Sequence, residues 1–249
     1  RSFGDIPVHT ALLSGDDSVS HQIAKYAVTQ SVDLIISASH GLSGVKRMVL
    51  GSVTEKLLDE ARCPVLVVPE QGRPKSAIHE GVHIVVLSDF AVEGERAFPV
   101  VCELAHAYGV EQARVTLLHV LEDMLDATLG SALGGDAESV RRENEQYAER
   151  RLSGLAREHL EATLPMTAVI RAKHAVHEEI VSFAEAREAD ILVLASHSHP
   201  LTDEVVLGSV AHKLVRHARQ KLLIIPRKAV IARHERAKPP LRPPPKHWI

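Results

Sequence analysis

Apolar positions along this chain alternate between short continuous runs and stretches of helical spacing. Residues 34–38 and 65–68 are apolar runs with the length of a strand buried on both faces, and Pro69 ends the second. Residues 17–30 place Ile23, Ala24 and Ala27 on one helical face, and 51–62 also reads as helix. A short apolar run at 8–13 predicts a further strand. Beyond residue 80 the same alternation predicts strands at 84–87, 115–120, 167–170, 191–195 and 222–225. Helices are predicted at 93–108, 137–162, 177–188 and 209–218. Pro99 interrupts the first of these and predicts a kink there, or the true first turn.

The two halves of this pattern are copies. DLIISASHG at 33–41 aligns with DILVLASHS at 190–198, an offset of 157 residues. The same offset aligns Leu50-Gly51-Ser52-Val53 with Leu207-Gly208-Ser209-Val210, Lys56-Leu57 with Lys213-Leu214, and 65–69 with 222–226. Alternating strands and helices with right-handed crossovers predict an α/β fold with parallel sheets. Ligands of such sheets bind beyond the carboxyl ends of the strands. That draws attention to the loops after Leu87, Val120, Ala195 and Ala38.

Composition narrows the class. Among 249 residues, 45% are hydrophobic and 24% charged, an ordinary globular mixture. Two cysteines, Cys63 and Cys102, exclude a disulfide framework and a four-cysteine zinc site. No apolar run has the length of a membrane helix, and no signal peptide is visible. Aromatic residues make up 3%, too few for base-stacking platforms, so no nucleic-acid partner is expected. The net charge of −3 is uneven: 227–249 carries seven Lys/Arg and one acid, +6, which leaves −9 on the rest. With five prolines, that end reads as an extended, solvated tail.

The chemistry concentrates in one loop. After 34–38 come Ser39, His40 and Gly41, nine further residues, and Gly51-Ser52 opening a helix. Free amides and a hydroxyl at a helix start suit an anion. Ser52-Val53-Thr54-Glu55 equally fits a capping box with Ser52 as N-cap and Glu55 three residues on, which needs no ligand. No Walker glycine–lysine loop is present.

These motifs resemble the universal stress protein family. Its ATP-binding members show glycine, two residues, glycine, nine residues, glycine and Ser/Thr. Here Ala38 takes the first place, followed by Gly41, Gly51 and Ser52. The similarity continues through SVTEKLL at 52–58 and CPVLVVP at 63–69. IVVLSDF at 84–90 looks like the family's opening strand, and LLHV at 117–120 like its second. The resemblance implies tandem Rossmann-like domains, of the adenine nucleotide alpha hydrolase-like kind, with five-stranded sheets in the order 3-2-1-4-5 and the first domain incomplete. It divides the chain into the end of a first domain at 1–69, a linker at 70–81, a complete second domain at 82–227 and a basic, proline-rich tail at 228–249.

The resemblance also implies ATP as ligand, with or without magnesium. In the first unit the binding residues would be Ala38, His40, Gly41, Gly51, Ser52, Val53 and Thr54. In the second they would be Leu87, Ser88, Asp89, Val120, Ala195, His197, Ser198, Gly208, Ser209 and Val210. Asp89 would touch the nucleotide and Val120 the adenine. The second loop departs from the pattern, with Ala195 and Ser198 at two glycine places, Pro200 beside them, and His212 where the first unit has Glu55. By the repeat, the first unit lacks its opening strands. About 75 to 80 preceding residues are expected, with a half-domain completed by another chain as the alternative.

Other constellations carry less. His197 and His199, His174 and His177, and His212 and His217 have metal-like spacings but no carboxylate or cysteine cluster beside them. Ser52, Ser209 and Asp89 lack a histidine spaced as a base, so nucleophilic catalysis is not expected. Strands 65–68 and 222–225 are apolar edges and are expected to self-associate, pairing the units with pseudo-two-fold symmetry. The expectation is a cytoplasmic, bacterial, adenine-nucleotide-responsive stress protein that acts by binding. The alternatives are a nucleotide-free interaction module and a slow ATPase.

Overall fold

The computed structural model describes residues 7–39, 51–69, 81–122, 137–160, 163, 165–196 and 208–229. Chain order is α1 (Val19–Thr29), β1 (Ile35–Ala38), α2 (Ser52–Glu60), β2 (Val65–Val68) and β3 (Val82–Leu87). A 3-10 turn (Val92–Arg96) then leads into α3 (Ala97–Tyr108), β4 (Ala113–Glu122) and α4 (Ala137–His159). The chain continues through β5 (Met166–Ala172), α5 (Val176–Ala186), β6 (Ile191–Ala195), α6 (Ser209–His217) and β7 (Lys221–Ile225). Pro99 falls in the first turn of α3, where its missing N–H costs nothing.

The seven strands among the described residues form one sheet in the order β1-β2-β7-β6-β3-β4-β5. Within it, β5-β4-β3-β6-β7 is a parallel set with the 3-2-1-4-5 connectivity. The first unit contributes β1 and β2, paired in parallel. One antiparallel ladder joins the units: Val65 faces Ile224, Leu66 faces Leu223 and Val67 faces Leu222. Leu66 and Leu223 are the same position of the repeat. A local two-fold axis therefore runs through the ladder, and the two apolar edges cover each other within one chain.

Two apolar layers sandwich the sheet. On one face α1, α2, α5 and α6 pack Leu57, Leu58, Ile180, Ala184 and Leu214 onto Val85, Leu192 and Ile224. On the other, α3 and α4 pack Phe98, Val101, Leu152 and Leu155 onto Ile84, Val86, Leu117 and Val193. Only the second unit has helices on both faces among the described residues. The consequence shows in β1: Ile35 is buried under α1 and α2, while Ile36, pointing to the other face, is 65% exposed. The expected burial of this strand on both faces is corrected accordingly.

Residues 8–13 are also corrected. They form no strand and are exposed, Leu12 at 96%. In the second unit the counterpart β5 reaches β6 only through β4 and β3. The described part of the first unit offers no strand in between, so 8–13 has no ladder to join. At the amino end of β3, an interior strand, His83 is buried. Its Nδ1 donates to the Arg187 carbonyl at 2.9 Å, its Nε2 accepts from Thr116 Oγ1 at 2.9 Å, and burial pushes its pKa down. Cys63 is buried in the first apolar layer and its thiol pKa is raised by burial. Among the described residues no helix is long and apolar enough to cross a membrane.

Candidate functional site

The carboxyl ends of β3, β4 and β6 gather most of the second-unit motif residues that the structure describes. β3 ends at Leu87, and Ser88 continues its ladder by donating to the Leu118 carbonyl at 2.9 Å. The chain then turns. The Ala91 amide donates to Asp89 Oδ1 at 3.0 Å, and the Phe90 amide to Ser88 Oγ at 3.3 Å. The Asp89 side chain stands at the surface. A Cβ on Gly94 would lie in ordinary contact with Asp89 Oδ1, at 3.5 Å.

Leu87, Val120 and Val210 come from three different elements and are all half-buried against the same apolar layer, the one under α5 and α6. Alternation along β4 explains this side: Leu118 and Val120 face that layer, while Leu117 and His119 face the other. The strand ends thus present a partly open apolar patch, with Asp89 in the turn that follows β3. Ala195 differs. It is buried toward the α3 and α4 layer, so its side chain does not join that patch.

Both Gly-Ser pairs open a helix, but not as a capping box. Gly51 and Gly208 are the N-caps, with extended backbone, and neither has a side chain with which to cap its helix. Ser52 and Ser209 are the first helical residues, and both are exposed. The expected cap by Ser52 with Glu55 is therefore absent. Glu55 instead turns across the unit boundary, 3.4 Å from His212 Nδ1 and 3.8 Å from an Arg216 guanidinium nitrogen on α6. Among the described residues no side chain engages the first-turn amides of either helix, the condition under which a helix start suits an anion. A Cβ added to Gly208 would meet none of the described residues within 4 Å.

The first unit is more closed at this point. Thr54 is buried; its hydroxyl donates to the Ala38 carbonyl at 2.9 Å and lies 2.9 Å from Ser37 Oγ. Its oxygen ties the helix to the end of β1. Gly51 donates to the Ser39 carbonyl at 3.0 Å, and Val53 and Ala38 are exposed. His40, Gly41, His197 and Ser198 lie outside the described residues, as does most of the 122–136 connection.

Sequence reasoning passed over two features. One is the cluster around Phe90 and His119, whose rings stack at 4.1 Å between centroids. The other is a cavity of about 300 Å³ lined by His177, Glu178, Val181, Ser182 and His217, none of them a motif residue. The spacing of His177 and His217 in sequence gave no signal that their rings would lie 5.5 Å apart.

The profile of the Universal stress protein family matches residues 3–69 and 82–226. A universal stress protein of Methanocaldococcus jannaschii is 38% identical over 63 residues, which are 25% of this chain and 36% of that protein. A universal stress protein of Mycobacterium tuberculosis is 24% identical over 199 residues, 79% of this chain and 63% of that protein. The chain thus spans about a third of the first relative's length and less than two thirds of the second's. Among solved structures, a putative universal stress protein from Pseudomonas aeruginosa superposes with a TM-score of 0.57 at 16% identity, covering 85% of this chain and 69% of that one. That similarity extends to the fold alone. With the profile matched over two segments that together make up most of the sequence, the chain belongs to the universal stress protein family.

Proposed function

We propose that this chain is an adenine-nucleotide-binding module of the stress response, with its ligand, ATP, in the second unit. The adenine would lie on the patch of Leu87, Val120 and Val210, with Asp89 alongside. The phosphates would lie on the first-turn amides of α6 at Gly208 and Ser209. One observation carries this reading: a glycine N-cap, with no side chain of its own to cap the helix, opens a nine-residue helix whose next residue but one, Val210, packs on the same layer as Leu87 and Val120. It joins an apolar seat for a flat ring to an anion site at one strand end. Asp89 is the one carboxylate among the motif residues, and a magnesium ion accompanying the phosphates would be held by it. The action proposed is a ligand-dependent shift of conformation or partner choice. We take 1–69 and 82–227 as the two domain segments, joined by 70–81 and followed by the tail at 228–249.

Titration calorimetry with ATP tests the reading. The native protein should bind, and Val120→Glu, which sets a carboxylate in the adenine seat, should lose the heat while keeping the fold. Equal binding by both proteins would move the site elsewhere. A second reading, an interaction module without nucleotide, is favoured by the β2–β7 ladder, in which the two apolar edges are paired with each other within one chain.

A further inference from the structure

We infer that His119 is the positioning residue of the Asp89 turn, a clamp that holds both neighbours of Asp89 from the opposite face of the sheet. The inference rests on the reading above only for the identity of the ligand. His119 Nδ1 donates to the Ser88 carbonyl at 2.7 Å, on one side of Asp89. Its ring stacks on Phe90, on the other side, at 4.1 Å between centroids and 30° between planes. The aspartate is thus bracketed by two contacts to a single imidazole.

The bracket is needed because the turn is strained. Phe90 has a φ of 64°, in the left-handed region that a bulky side chain enters only when its surroundings hold it there. What holds it is visible. Besides the stack, Tyr147 of α4 meets the Phe90 ring edge-on at 6.4 Å, and the Arg151 guanidinium lies 5.8 Å from the ring centroid. Inside the turn, the Phe90 and Ala91 amides close on Ser88 Oγ and Asp89 Oδ1. Without the clamp the turn would relax toward ordinary backbone, and Asp89 would leave the end of β3. Because His119 and Val120 are consecutive on β4, the strand end supplies the clamp to one face and the apolar seat to the other. A ligand touching Val120 and Asp89 would meet a carboxylate already fixed in place, which lowers the ordering cost of binding.

Three variants separate the two halves of the clamp. His119→Asn places an amide donor near the Nδ1 position without the ring, His119→Phe keeps a ring without the donor, and His119→Ala removes both. In the protein without ligand, hydrogen exchange of the Phe90 and Ala91 amides should quicken on the order of tenfold or more in His119→Ala, with β6 and β7 amides protected as before. His119→Asn and His119→Phe should fall between that variant and the native protein. ATP affinity should weaken in the same order, by on the order of tenfold for His119→Ala. Native exchange rates at Phe90 and Ala91 in His119→Ala would overturn the clamp. Faster exchange with unchanged ATP affinity would overturn its positioning role. If His119→Ala loses protection throughout the sheet, the larger Asn and Phe variants decide by the same two readings. If the native protein binds no ATP, the nucleotide reading fails, while the exchange measurement still decides the clamp.

Discussion

Glu55 and His212 hold the same position in the two copies of the repeat, and they meet: Glu55 Oε1 lies 3.4 Å from His212 Nδ1 across the unit boundary. A two-fold axis brings equivalent positions together, and in an identical pair two glutamates or two histidines would face each other here. The tandem chain has made the pair complementary instead. Arg216, 3.8 Å from the same carboxylate, adds to it.

Glu55→Lys should therefore weaken the joint between units. The side chains at this contact are about one third exposed, so the pair itself contributes at most about 1 kcal/mol. Placing an ammonium against Arg216 should lower the melting temperature by a few degrees, and added salt should recover part of the loss. An unchanged melting temperature at low salt would show that the contact carries no stability.

The same glutamate shows where the sequence could and could not be read. The offset of 157 residues was visible in the letters, and so were the strands around Leu66 and Leu223, because parallel central strands are continuous apolar runs. The meeting of these two leucines also followed, since both strands were apolar edges. The capping box did not follow. Ser52-Val53-Thr54-Glu55 has the right letters, yet Glu55 finds His212 and Arg216 in the other unit, a tertiary choice invisible to a four-residue window. Residues 8–13 misled for a related reason, because apolar letters predict a strand only where a ladder exists to receive it. In the candidate site, Leu87, Val120 and Val210 were legible as motif positions. The left-handed Phe90 was not, because its conformation is imposed by His119, Tyr147 and Arg151 from distant elements.

Leu57 and Leu214 are another repeat pair, each almost wholly buried in the layer shared by α2 and α6. Truncating either to alanine should cost about 2 to 5 kcal/mol, read from denaturant unfolding. Similar losses at both sites are expected, since one apolar layer spans the two units.

Stability should fall in mild acid. Burial pushes the pKa of His83 below its ordinary 6.5, against the opposing pull of the Arg187 carbonyl; Arg114 and Arg187 also lower it, and Asp190 raises it. Burial lowers His119 likewise, opposed by the Ser88 carbonyl and Asp89. Below 6.5 the unfolded chain takes up protons that the folded protein refuses. The contribution of these two groups is therefore full above that value and is lost as the pH falls toward their folded pKa values. Denaturant midpoints measured between pH 7.5 and 5, approximately the span in which histidine titrates, should drop. A flat profile would contradict the lowered pKa of the buried His83 and the half-buried His119.

Gly208→Asp separates stability from binding. The extended backbone of the N-cap accepts the new side chain, and an added Cβ meets none of the described residues within 4 Å. The carboxylate should cap the first turn of α6 and raise stability by about 0.5 kcal/mol. It would also occupy the amides proposed to hold phosphate, so the thermal shift produced by ATP should vanish as the baseline melting temperature rises. Retention of the full ATP shift would place the phosphates elsewhere.

The most direct test is the mass spectrum of whatever small molecule the purified native protein releases on denaturation, quantified against the protein. An adenine nucleotide should appear in near-stoichiometric amount, or, if the site empties during purification, the protein should reload stoichiometrically from added ATP. A protein that releases no nucleotide, cannot be reloaded and shows no thermal shift with ATP would contradict it.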